Sequence, residues 1–236
     1  MSLPKQILPT YSTKLPSTGE EVKFKPFTTK NEKALLLAQE SEELDVMIDT
    51  LIDVLKDCII TKLDYDKLAI FDIEYLFLQI RCRSVGEIAE LIFSCDVCTD
   101  EKAKMKVSFD LNKVNVEFDK THTKRIVLFD EVGVLMKYPT YKTLNKINEN
   151  KTEGEIEFDL ILECIDYIFN GNEIHKLEDE SPQEVIDFFD GLTKPNFQKI
   201  YQFFDTMPKL VQRVKFNCPV CDKTHNKIME GIEYFF

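Results

Sequence analysis

The sequence contains no tryptophan and only three histidines. A Ser/His/Asp or Cys/His catalytic set needs an imidazole held against its partners, and so few histidines leave little to build one from. Glycine is also sparse: seven residues stand far apart along the chain, so no glycine-rich loop exists to cradle a phosphate. No run approaches the ~18 apolar residues of a spanning helix. The start, Met-Ser-Leu-Pro-Lys-Gln, shows no charged region followed by an apolar one, so no secretory signal is expected. Positive charge is in deficit, 30 Lys and Arg against 42 Asp and Glu, for a net charge of −12. That excess argues against a nucleic-acid surface spread over the whole protein, because such surfaces neutralise phosphates with Lys and Arg. Acidic clusters at Glu40–Glu43 and Glu178–Glu180 read as solvated faces, not as paired general acid and base. With no enzyme signature, a non-enzymatic protein is expected.

What is present suits an ordinary folded chain. There are 236 residues, 44% of them hydrophobic and 18 of them phenylalanine, enough to bury a core without disulfide staples. The periodicities predict an α+β protein in four stretches. Residues 1–86 form an N-terminal hairpin plus helices, 87–139 a strand-rich part, 140–208 a helical part, and 209–236 a strand arm. In the first, Tyr11–Leu15 and Val22–Phe27 alternate around Pro16-Ser17-Thr18-Gly19, the pattern of a hairpin. Thr29-Lys30-Asn31-Glu32 reads as a capping box opening a helix to about residue 40. Apolar residues spaced by three and four from Leu44 to Leu55, and again from Ile73 to about Arg83, predict two more helices, with Gly86 as a stop signal.

Strand periodicity follows at Glu87–Ser94, Lys104–Phe109, Val114–Phe118, Ile126–Phe129 and Val132–Met136. From 140 to 206 the reading is helical. Phe158, Ile161, Leu162, Ile165, Ile168 and Phe169 mark one apolar face ending at Asn170-Gly171, and Ser181-Pro182-Gln183-Glu184 caps a helix to about Asp190. A last helix is expected at Asn196–Thr206, then strands at Leu210–Phe216 and Lys227–Phe236.

The seven cysteines divide by context. Cys58, Cys82 and Cys164 lie in apolar patterns and read as small buried hydrophobes. The other four form two matched knuckles, Phe93-Ser94-Cys95-Asp96-Val97-Cys98 and Phe216-Asn217-Cys218-Pro219-Val220-Cys221. Each follows a strand and precedes a polar turn and another strand. A Cys-x-x-Cys on such a turn supplies two thiolates, and a second completes a tetrahedron with Zn–S bonds of about 2.3 Å. Cys95, Cys98, Cys218 and Cys221 are therefore the expected ligands of a structural Zn2+ in a zinc-ribbon-like platform, with the helical segment inserted between the knuckles. Four thiolates leave no open position for catalysis. His225 is the one substitute ligand the spacing allows and otherwise reads as a polar turn residue; His122 and His175 fall in polar segments expected to be exposed. Two other readings stay open. A redox centre would use the Cys-x-x-Cys pairs, although neither opens a helix in a βαβ setting. A nucleic-acid-binding or transcription-associated zinc ribbon would use Lys102, Lys104, Lys106, Lys223 and Lys227 as a local basic patch.

Three stretches carry a resemblance to a known family. They are the run Leu15–Phe27 leading into Asn31–Ala38, then Phe71–Arg81 continuing to Ser84-Val85-Gly86-Glu87, and Val134–Pro139. Together they resemble the baseplate hub assembly proteins of T4-like contractile-tailed bacteriophages, well over the first 140 residues and loosely beyond. The resemblance implies a structural or chaperone role in building the tail hub, in the host cytoplasm during infection. It further implies phage baseplate hub or hub-assembly proteins as partners, and no catalysis. Both a hub subunit and an assembly factor absent from the finished particle fit it.

Overall fold

The computed structural model describes residues 6–41, 43–98, 101–145 and 152–232. Among them the chain is a mixture of seven α-helices and several small antiparallel sheets, in two compact units. Unit 1 takes in residues 1–65, 71–117 and 209–236; unit 2 takes in 66–70 and 118–208.

In unit 1 the predicted hairpin is present as β1 (Tyr11–Lys14) and β2 (Glu21–Phe24). Its turn is anchored to a buried carboxylate. Ser17 donates its backbone N–H to Asp72 Oδ1 (3.0 Å) and its hydroxyl to Oδ2 (2.5 Å), while Thr13 Oγ1 meets the Tyr75 hydroxyl at 3.1 Å. The far edge of β2 is occupied by the chain's own residues, since Lys25 N–H donates to Cys58 O and Ile60 N–H to Lys23 O. Asp72 is only 1% exposed while Ser17 is exposed, so replacing Asp72 breaks two hydrogen bonds to a charged acceptor and frees the turn from the helix that carries it. Asp72→Ala is expected to cost about 2–3 kcal/mol and lower the melting temperature by roughly 5–10 °C. An unchanged melting curve would refute the anchoring role.

Helices α1 (Thr29–Ser41), α2 (Leu44–Cys58) and α3 (Ile70–Ser84) follow, each within a few residues of its predicted span. The capping box at Thr29 is a correction: the helix begins one residue earlier. Thr28, not Thr29, sits at the cap, bonding through both its N–H and its hydroxyl to Asn31 Oδ1. Strands β3 (Ile88–Ser94) and β4 (Lys104–Asp110) pair in register from Ile88↔Asp110 to Ser94↔Lys104. Then β5 (Asn115–Glu117) closes the first pass through unit 1.

Unit 2 opens with β6 (Arg125–Phe129) and β7 (Val132–Met136), then α4 (Tyr141–Asn145) and α5 (Glu153–Glu163). The predicted long apolar helix through Phe169 is corrected here. Helix α5 ends at Glu163, and Ile165–Asn170 is a strand, β8, paired to β7 on one side and to β9 (Glu173–His175) on the other. Ile168 and Phe169 are consecutive, point to opposite faces of β8 and are both buried, so the apolar residues run together and imitate a helical stripe. The Asn170-Gly171 signal belongs to the β8–β9 turn, where Gly171 takes a φ of 58° that an L side chain rarely adopts. The sheet order is β6-β7-β8-β9. Helices α6 (Pro182–Asp190) and α7 (Lys194–Thr206) complete the unit, the first opened by the predicted Ser181–Glu184 capping box.

The chain re-enters unit 1 as β10 (Lys209–Asn217) and β11 (Thr224–Glu230), in a sheet ordered β11-β10-β5. The final strand therefore starts three residues before the predicted Lys227, and residues 233–236 of that prediction lie outside the described ones. The unit 1 core around the two knuckles joins Leu78, Met105, Leu111, Leu210, Val214 and Met229 with Cys95 and Cys218.

Candidate metal centre

Each knuckle is held open by its own backbone. At the end of β3, Cys95 N–H donates to Ala103 O (3.1 Å), so the turn begins at the cysteine. At the end of β10, Cys218 N–H donates to Lys223 O (2.9 Å) and Asp222 N–H to Cys218 O (2.9 Å), with Asp222 at a positive φ of 57° that reverses the chain into β11. Backbone N–H groups then point at sulfur in the same way in both turns: Val97 to Cys95 Sγ and Val220 to Cys218 Sγ, each at 3.4 Å. These amides favour the thiolate. They hold Cys95 below the ordinary thiol range, and the Cys221 and Val220 amides draw Cys218 down to about 7.

The structure brings the four predicted cysteines together. Cys95 Sγ lies 3.8 Å from Cys221 Sγ and Cys98 Sγ lies 4.0 Å from Cys218 Sγ, with all four sulfurs within 4.8 Å of one another. Tetrahedral coordination at about 2.3 Å places sulfurs roughly 3.8 Å apart, so the spacing fits one small ion at the centre. Negative sulfurs this close repel in the absence of a cation. Accordingly Cys98 is pushed up to about 12, chiefly by its hydrogen bond with Cys221 and then by burial. Cys95 and Cys218 are buried, Cys98 is half-buried and Cys221 is exposed.

The matched phenylalanines of the two knuckles also meet. Phe93 stacks on Phe216 with centroids 5.0 Å apart, and Phe216 stacks in turn on His225 at 5.1 Å. His225 is thus not a polar turn residue but a buried one, 5% exposed, on β11. Its Nδ1 stands 3.7 Å from Asp96 Oδ1, and it shares a second donor cluster with Cys95 and Asp96. Asp96 accepts from Lys223 Nζ through both oxygens at 3.0 Å, a bridge from one knuckle to the other that keeps its carboxyl below the usual range. Spacing alone did not reveal this second layer. Its signal was the period-two relation of His225 to Met229, the two buried residues of β11.

The remaining predicted residues are placed as follows. Cys58, Cys82 and Cys164 are buried, with burial pushing their thiols up to about 11, 11 and 12. His175 is exposed as expected. His122 is not: it is half-buried, packs against the rings of Tyr138 and Phe203, and meets Thr206 Oγ1 at 3.0 Å. The lysines proposed as a basic patch are partly neutralised, Lys104 by Glu101, Lys106 by Glu90 and Lys223 by Asp96. Among the described residues no helix is long and apolar enough to cross a membrane.

Comparison with known proteins places the chain in a family. The family model described as T4 bacteriophage base plate protein matches residues 8–236. The baseplate hub assembly protein gp26 of Enterobacteria phage T4 is 24% identical over 216 residues, covering 91% of this chain and 92% of that protein. No solved structure matches. The chain belongs to the T4 bacteriophage base plate protein family.

Proposed function

We propose that this chain is a non-enzymatic assembly protein for the central hub of a phage tail baseplate, working in the host cytoplasm during infection. Its partners would be other baseplate hub or hub-assembly proteins. The observation that carries the reading is the extent of the family match, residues 8–236, together with a hub assembly relative aligned along almost the whole of both chains. A building or chaperone role also agrees with the scarcity of histidine and with the burial of three of the seven cysteines away from any reactive setting.

The same reading assigns Cys95, Cys98, Cys218 and Cys221 a structural zinc ion in a zinc-ribbon-like platform. The sulfur spacing supports it. Such an ion would tie together sites about 120 residues apart in sequence and hold the β3–β4 turn against the β10–β11 turn.

The test is genetic. In a phage encoding this chain, an amber allele is expected to yield tail intermediates without hubs under a non-suppressing host, and a plasmid copy should restore whole baseplates in electron micrographs. Normal baseplates in the absence of the protein would refute the role. Mass spectrometry of purified particles then separates a resident hub subunit from a factor that leaves.

A further inference from the structure

The largest acidic excess stands in one stretch. Between residues 153 and 190 stand thirteen Asp and Glu and a single basic residue, Lys176, a net charge of −12 that equals the charge of the whole chain. The rest of the sequence is balanced, with twenty-nine of each sign. That stretch builds α5, β8, β9 and α6 of unit 2. Apart from Glu155 and Glu184, which complete the capping boxes of α5 and α6, charge packed this way repels itself, so its position needs another account.

The same region carries apolar surface that the fold leaves uncovered. Helix α6 presents Val185, Ile186, Phe188 and Phe189, yet only Phe189 is buried, and Ile186 is 40% exposed. Facing α6 across a groove of about 300 Å³ are Phe129, 41% exposed, with Val132 and Ile168 of the sheet. The rim is polar and carries acid: Glu184 from α6, and Glu180 with His175 at 3.0 Å from it. Beyond the rim, the edge strand β9 is exposed throughout and offers Glu173 beside Ile174, which is 59% exposed. Few polar groups converge inside the groove, which is a poor design for holding a small molecule in one orientation. An apolar cleft within a strongly negative field suits a protein segment with apolar anchors flanked by lysine and arginine.

We propose that this groove of unit 2 docks a basic, amphipathic segment of a partner protein, one or two apolar side chains entering between α6 and the sheet while Lys and Arg face the acidic rim. The inference rests on the assembly reading for the partner's identity, but the groove and its chemistry are independent of it.

The probe is a fluorescent lysine-rich peptide with two central leucines, titrated against the full chain by anisotropy. Binding is expected to weaken about tenfold from low to physiological salt, as screening shortens the reach of the rim charges. Phe129→Ser should weaken it by a further ~10-fold, the loss of one anchor contact. The triple change Glu173→Lys, Glu180→Lys, Glu184→Gln, the last keeping a capping side chain on α6, should remove most of the salt dependence, and it tests the proposal even if Phe129→Ser fails to fold. Equal binding by a lysine peptide without leucines, or by a glutamate version, would overturn the proposal, as would unchanged affinity in both variants. Complementation separates the two readings. If the amber phage is fully rescued by the triple variant, the groove is not the docking site and the assembly role stands. If the amber phage makes normal baseplates, the assembly role falls while the peptide titration still decides the groove.

Discussion

Replacing Cys218 with serine is expected to abolish stoichiometric metal binding and to unfold unit 1 at a much lower temperature. Cys218 is 1% exposed, is drawn toward the thiolate by two backbone amides, and lies within 4.8 Å of the three other sulfurs. Serine keeps the size but loses the soft anionic ligand, and three thiolates with a hydroxyl hold zinc far more weakly. Zinc-finger peptides derive all their folding energy from the ion. Unit 1 also has an apolar core of its own, so only part of that energy is at stake, on the order of 4–5 kcal/mol. For a unit of this size that is roughly 10–20 °C in melting temperature. The wild-type protein should purify with one zinc per chain by elemental analysis, and a strong chelator should lower its melting temperature towards that of Cys218→Ser. Cys82→Ala is the control: it removes a buried thiol from the same core and should cost about 1–2 kcal/mol without loss of metal. If Cys218→Ser retained both the metal and the stability, the cluster would not be a zinc site.

Gly133→Ala is expected to be the most damaging small change in unit 2. A Cβ at this position would stand 2.1 Å from the Ile126 carbonyl oxygen and 2.4 Å from Phe169 Cζ. The glycine lies in β7, an inner strand, opposite Val127 on one side and Phe169 on the other, and the Phe169 ring covers the space where a side chain would be. Arg125 lies on that ring at 3.6 Å from its centroid, so the ring has little room to yield. Relieving the clash means spreading both ladders, at a cost of about 4 kcal/mol or more. Gly154→Ala makes the contrast. It meets nothing within 4 Å in α5 and should be neutral or gain up to ~1 kcal/mol from helix propensity. Hydrogen exchange of the β7 and β8 amides would report the difference, and equal protection in Gly133→Ala and wild type would contradict the packing argument.

The cysteine cluster was legible in the sequence because its grammar is local and repeated: an aromatic, one residue, cysteine, two residues, cysteine, after a strand each time. The mutual stacking of Phe93 and Phe216 shows that the repeat extended to packing. The helices of unit 1 were equally readable, since α2 and α3 carry regular three- and four-residue apolar spacing. Where the reading failed, the competing signals had the same appearance. Phe158 through Phe169 has helical spacing, but its second half is an inner strand in which the consecutive Ile168 and Phe169 are both buried, which breaks the alternation. His225 and His122 were read from their polar surroundings, whereas ring stacking on Phe216, and on Tyr138 and Phe203, decides their places. Such contacts join residues far apart in the chain, and no local pattern carries them.

The pairing of β5 with β10 has a topological consequence. The strands are antiparallel, and Glu117 lies directly opposite Lys209, with the Arg213 guanidinium meeting the Glu117 carboxylate across the same ladder. Had two turn residues joined 117 to 209, β5 and β10 would be an ordinary hairpin. Residues 118–208 thus occupy the place of a hairpin loop, and with 66–70 they make up the second compact unit. Loops at such positions tolerate replacement and exchange. Apart from the short 66–70 stretch, unit 2 can therefore diverge, acquire charge or be traded between related chains while the cysteine-bearing platform keeps its register.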